Sequence, residues 1–137
     1  MSLSAIPRAL RLSVQERDGG RCRYCGLRQL GQAATFHVDH VVPRSRGGPT
    51  ALANLVLQCP WCSLHKSDKI SGTDPDTGDV VPLFHPLENA WPEHFAVRDD
   101  ATLAGKTPAG RATVAALHMN DPLPRAARTL QAMHGMP

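Results

Sequence analysis

Apolar residues recur at helical spacing over residues 4–17, where Ile6, Ala9, Leu10 and Val14, with Leu12 beside them, mark one side and Pro7 is tolerated in the first turn. Gly19-Gly20 stops that helix. A short connector, 27–34, leads to an apolar run at 35–42 in which Phe36, Val38, Val41 and Val42 predict a strand carrying His37, Asp39 and His40 to its end. Pro43 and Gly47-Gly48-Pro49 break it into a loop, and 55–58 is strand-like again. From Pro60 the pattern turns helical through Leu64, Lys66 and Lys69, ending near Gly72. A turn-rich acidic loop follows at 73–79, then a short strand at 80–84 and a hairpin from 95–98 and 101–103. Thr107-Pro108 caps a helix to about Met119 with Val114, Leu117 and His118 on its apolar side, and Asp121-Pro122 opens another over 123–133. Strands and helices in this order make the fold class α+β.

Composition narrows the picture. At 137 residues, 42% hydrophobic and 20% charged, the chain has the size and make-up of one globular domain, 1–137, with a core at 20–70 and a C-terminal extension at 73–137. No run of about 18 apolar residues predicts a membrane span, and the first residues lack a secretory signal. Cysteines in metal spacing suit a reducing cytoplasm, so a cytoplasmic location is expected. The net charge of +3 is unevenly spread, with eight arginines against three acids over the first 46 residues. Arginine forks phosphate well, so this half suits a polyanion such as DNA; an arginine-rich coding bias explains the same count without a ligand.

All four cysteines fall at 22–62 as two Cys-x-x-Cys pairs, Cys22/Cys25 and Cys59/Cys62. Each such turn aims two sulfurs at one point, and two turns supply the four thiolates of a closed tetrahedral zinc site. Local disulfides, a redox dithiol or plain apolar packing are the other readings of the same residues. A zinc with four thiolates has no open position and is a staple, not a catalyst.

Asp39-His40-Val41-Val42-Pro43, Gly47-Gly48, Asn54-Leu55, Cys59-x-x-Cys62 and Lys66 together resemble the motif of the HNH (His-Asn-His) endonucleases. Asp74-Pro75, Thr77-Gly78, 83–86, Trp91, His94-Phe95 and 110–113 further resemble a bacterial subgroup of HNH proteins with a short C-terminal extension. The resemblance implies a ββα-metal (His-Me finger) core stapled by zinc and flanked by helices and a small β-hairpin. It implies a metal-dependent hydrolase cutting DNA phosphodiester bonds to leave a 5′ phosphate and a 3′ hydroxyl. His40 would be the general base, with an ordinary pKa of about 6.5. Asp39 would hold a catalytic Mg²⁺ or Mn²⁺ through a hard oxygen, stabilising charge on the transition state and the departing oxygen. Asn54 would fix the loop and orient His40. The position after the last cysteine, His or Asn in most of the family, is Ser63 here, with His37, His65, Ser67 or Asp68 as substitutes for the missing ligand. Arg44, Arg46, Lys66 and Lys69 would contact the DNA backbone.

Each residue also has a bland reading. An Asp-His pair at a strand end is often a hydrogen-bonded surface pair, Lys66 and Lys69 suit solvated helix charges, and His85 and His94 suit structural roles. The aspartates of 73–79 do not follow the glycine and terminal Glu spacing of a calcium loop. Two other functions therefore stand beside the enzyme: a catalytically degenerate, zinc-stapled nucleic-acid-binding module, and a zinc-held protein-interaction module.

Overall fold

The structure, a computed structural model, describes residues 6–29 and 35–135. The first residues of the predicted opening helix and most of the predicted connector lie outside them.

Helix α1 is Arg8–Asp18, with Pro7 at the N-cap and not inside the first turn. Gly19 closes it in the left-handed conformation, its N–H donating to the Gln15 carbonyl (3.0 Å). Of its apolar residues Val14 is fully buried while Leu12 is exposed, so the apolar stripe is narrow. Polar contacts secure the rest. The buried Asp18 carboxylate accepts the Leu57 N–H (2.8 Å) and pairs with Arg17 (2.8 Å) and Arg23 (3.2 Å). Arg17 also donates to the carbonyls of Leu52 and Leu55.

Those contacts bolt α1 to an antiparallel pair, β1 (His37–His40) and β2 (Leu55–Gln58), in which Asp39 faces Val56 and His40 faces Leu55. The strand predicted at 35–42 is shorter because Val41 and Val42 leave the ladder and bond Asn54 instead. β2 is buried along its whole length and packs against α1 and α2, as a short unbroken apolar run does. Helix α2 (Pro60–Lys66) begins at Cys59, whose sulfur accepts the Cys62 N–H (3.4 Å). It stops at Lys66 instead of continuing toward Gly72, because Ser67 turns to a positive φ of 50°.

The residues beyond it form a second ladder, β3 (Ser71–Thr73) with β4 (Val80–Pro82). The acidic turn between them is structural: Arg111 grips Asp74 with two bonds (2.9 and 2.7 Å) and holds its carboxyl down at about 2. Helix α3 (Trp91–His94) precedes a hairpin of β5 (Phe95–Val97) and β6 (Leu103–Gly105), whose second strand lies about two residues later than predicted because Ala101 occupies the turn at φ 68°. Helix α4 (Pro108–Ala116) carries the expected cap, Thr107 accepting the Gly110 N–H (3.0 Å), and α5 is Pro122–Met133.

Among the described residues the architecture is mixed α+β, with three two-stranded antiparallel sheets, five α-helices and two short 3-10 turns. One buried cluster includes Val14, Tyr24, β2, Phe84, Phe95 and Leu117. Phe84 meets Tyr24 (6.5 Å) and Phe95 (5.0 Å) edge to face, a geometry contributing about 0.5–1.5 kcal/mol per pair beyond burial. The Trp91 indole donates to the Tyr24 carbonyl (2.8 Å) and Arg23 to the Pro86 carbonyl (2.9 Å), so the C-terminal extension is seated on the first cysteine turn. Among the described residues no helix is long and apolar enough to cross a membrane.

Candidate active site and zinc clamp

The two cysteine turns converge. Cys22, Cys25, Cys59 and Cys62 are all buried, and their sulfurs lie within 4.8 Å of one another. The Cys25 to Cys59 sulfur distance of 3.8 Å matches the edge of a tetrahedron with zinc–sulfur bonds of about 2.3 Å. None of the four is in a disulfide, and at 3.8 Å Cys25 and Cys59 stand well beyond disulfide bonding distance. Hydrogen bonding among the neighbouring sulfurs pushes the thiols of Cys25 and Cys62 up and, against burial, holds that of Cys22 down. The donor set, its closure and its geometry fit a four-thiolate zinc site.

Apart from this clamp, α1, β1, the turn that follows β1, and α2 frame an open cleft of about 620 Å³, lined by Asp39, His40, Ser63, Asp68, Arg11 and Arg44 among others. Strand β1 brings Asp39 and His40 to its rim, and α2 brings Ser63, whose hydroxyl donates to the Asp39 carboxylate (2.9 Å). His40 Nε2 lies 2.8 Å from the Thr50 hydroxyl. Burial pulls the imidazole below its ordinary pKa, Arg44 and Lys66 add to that, and the Asp39 carboxylate opposes it. At neutral pH the ring is therefore neutral, with one nitrogen able to accept a proton.

The loop between the strands is held by Asn54. Buried at 5% exposure, it accepts the Val42 N–H (2.9 Å) through Oδ1 and donates Nδ2 to the carbonyls of Val42 (3.0 Å) and Pro49 (2.9 Å). Gly48 lies so close beneath this bracket that a Cβ there would collide with the Val42 carbonyl, which explains the glycine. Asn54 thus sets the loop that presents Thr50 to His40, and its side chain faces backbone, not the cleft.

The model of the family described as HNH endonuclease matches residues 22–69, the stretch from the first zinc-clamp cysteine to the end of the cleft. Residues 22–69 are an HNH endonuclease domain. No curated protein and no solved structure matches the chain.

Within the HNH domain the expected basic residues take different places. Arg44 is exposed and lines the cleft, whereas Arg46 is tied to the Asp68 carbonyl (2.9 Å) and Lys69 donates to the His65 carbonyl (2.8 Å), both exposed. Lys66 corrects its reading as a surface charge open to phosphate: it is 2% exposed and its amine has no hydrogen-bond partner. Burial lowers its pKa, while the carboxylates of Asp39 and Asp68 hold the charge up. Of the substitutes for the third cation ligand, Ser67 and Asp68 line the cleft, whereas His65 and His37 do not. His65 donates Nδ1–H to the Trp61 carbonyl (2.9 Å) and stacks between Trp61 (4.3 Å) and His118 (4.8 Å), and His37 is exposed on β1. His94 bonds the Thr107 hydroxyl (2.6 Å) and packs on Phe84, and His85 accepts the Leu87 N–H through Nδ1 (3.2 Å).

The sequence does not single out Arg11, which lines the cleft, or Thr50, which bonds His40 from outside its lining. Arg11, one of the basic N-terminal arginines, faces the cleft from α1, and Thr50 touches His40 from the loop. Neither lies in a spacing that signals chemistry; their roles depend on how helix and loop close over β1.

A cation in the cleft would rest on few protein atoms. Among the described residues only the four cysteines gather three or more His, Cys, Asp or Glu ligand atoms. Asp39 with the Ser63 hydroxyl is a hard-oxygen set of the kind that holds Mg²⁺ or Mn²⁺ through one carboxylate, with water and substrate phosphate completing the shell.

Proposed function

We propose that this protein is a cation-dependent endonuclease that hydrolyses DNA phosphodiester bonds, with His40 as general base. The observation that carries this reading is the cleft itself: a neutral imidazole and a carboxylate side by side on β1, beside α2 and walled by Arg11 and Arg44. Zn²⁺ in the four-cysteine site supplies folding stability and takes no part in the reaction.

The residues divide the work. Arg11 and Arg44 attract and orient the DNA backbone, which delivers a phosphate to the cleft floor. Acting as a base requires one free imidazole nitrogen. With Nε2–H donating to Thr50, Nδ1 is that nitrogen and takes the proton from the attacking water. Asp39 and the Ser63 hydroxyl would hold a catalytic Mg²⁺ or Mn²⁺, which would supply positive charge to stabilise the transition state. Lys66 is buried without a hydrogen-bond partner, and Asp39 and Asp68, which line the cleft, support its charge against burial. Asn54 holds the loop and touches no substrate atom.

The test is cleavage of supercoiled plasmid by zinc-loaded protein with Mg²⁺, Mn²⁺ or EDTA. Cation-dependent conversion to nicked or linear DNA supports the enzyme. DNA binding that weakens with salt, but no cleavage with either cation, assigns the chain instead to a binding module whose Ser63 leaves too few ligands.

A further inference from the structure

The C-terminal helix reaches the zinc clamp. Gln131 on α5 clasps the backbone of Arg28, accepting its N–H (3.0 Å) and donating to its carbonyl (2.7 Å). Arg28 is bridged to Arg21, so it closes the loop that carries Cys22 and Cys25. One helical turn before Gln131, on the same side of α5, is Arg128. It is 8% exposed and lines, with Cys22, Cys25 and Gln131, a cavity of about 750 Å³ against that loop. Its guanidinium is fixed by two backbone carbonyls, Nε donating to Ala101 (2.8 Å) and one terminal nitrogen to Met119 (2.6 Å). The other terminal nitrogen is buried with no hydrogen-bond acceptor.

A buried arginine with an unspent N–H demands a negative partner. Four thiolates around one dication would leave two surplus negative charges beside the cavity that Arg128 lines with Cys22 and Cys25. The cysteines are the groups that hold the guanidinium's charge up against burial, Cys25 foremost, then Cys62 and Cys59. We propose that Arg128 is the outer-shell cation of the zinc site, neutralising the zinc–tetrathiolate dianion so that the C-terminal extension completes the metal site of the HNH domain. Zinc affinity and the docking of α5 are then one linked equilibrium, because the guanidinium is held in place by the tail and its counter-charge by the clamp.

This rests on the four cysteines holding zinc, and the experiment separates the two claims. Zinc affinity of the full chain is measured by competition with a chromophoric chelator for wild type, Arg128→Lys and Arg128→Gln, with the thiolate-to-cobalt charge-transfer band of the Co²⁺ form as a second readout. Lysine keeps the charge and glutamine keeps a donor for the carbonyls without it. The expected result is zinc loosened by roughly 10–100-fold in Arg128→Gln, the scale of lost outer-shell partners, with a shifted cobalt band and with Arg128→Lys near wild type. Equal zinc affinity in wild type and Arg128→Gln overturns the proposal, as does equal loss in both variants, which marks the residue as a structural fork. Should the glutamine protein not fold, citrulline placed at 128 by ligation of the C-terminal segment keeps shape and donors without charge, and the same two outcomes decide. A wild-type chain that binds no zinc refutes the zinc reading itself.

Discussion

Replacing Asn54 with alanine removes three hydrogen bonds from a side chain that is 5% exposed. At about 0.5–1.5 kcal/mol net for each bond, the loss comes to about 3 kcal/mol. That is a large share of the roughly 5–15 kcal/mol that stabilises a domain of ordinary size. Asn54→Asp is the sharper variant, since it preserves shape and the bond from the Val42 N–H but directs a second acceptor at the carbonyls of Val42 and Pro49. It is therefore expected to cost as much as alanine or more. Denaturant unfolding of the zinc-loaded proteins, followed by Trp61 and Trp91 fluorescence, measures the cost, and hydrogen exchange at the Val42 amide shows whether the bracket opens. Cleavage should fall in both variants, because the loop that brings Thr50 to His40 is released while zinc stays bound. An alanine variant within about 1 kcal/mol of wild type, or an aspartate variant as stable as wild type, would refute the reasoning that this side chain is the loop's fastener.

Thr50→Val removes the hydroxyl beside His40 with little change of volume. It should lower kcat and change the acid limb of the pH profile, whereas Thr50→Ser should restore both. In wild type that limb should lie below the ordinary histidine value of about 6.5: burial depresses the His40 pKa, so the base stays deprotonated to lower pH and activity is lost only as pH falls through the depressed value. A limb above about 6.5 would contradict the assigned environment. Zinc removal by a strong chelator should collapse the thermal transition. Zinc binding should weaken as pH falls, because the Cys25 and Cys62 thiols, pushed up by their neighbours, must give up protons to bind. An unchanged transition in chelator would show that the four cysteines pack without a metal.

Much of the fold is legible in the chain because its signals are local. Gly19, Thr107 with Pro108 and the unbroken apolar run of β2 each mark an element within a few residues, and the paired cysteine spacing marks a metal site before any fold is known. What was missed depends on distant partners. Strand β3 reads Ser-Gly-Thr, with no apolar alternation, and exists because β4 pairs with it and Gly72 admits Leu83 and Ala112 at close range. Helix α2 looks longer in sequence than it is, since nothing in Ser67 announces its positive φ. Lys66 reads as a solvated charge because lysines in last turns usually are; its burial follows from packing that no periodicity encodes. The cleft's chemistry was half visible: Asp39, His40 and Asn54 belong to a spaced motif, whereas Thr50 and Arg11 reach the site through loop closure and helix docking.

In the proposed reaction His40 removes a proton from water in the cleft. Single-turnover cleavage of a plasmid by zinc-loaded wild type and His40→Ala, in saturating Mg²⁺ and at matched DNA occupancy, tests it most directly. Cleavage is expected to be lost in the variant, with zinc content, thermal transition and DNA affinity unchanged. Cleavage persisting at the wild-type rate in His40→Ala would contradict it.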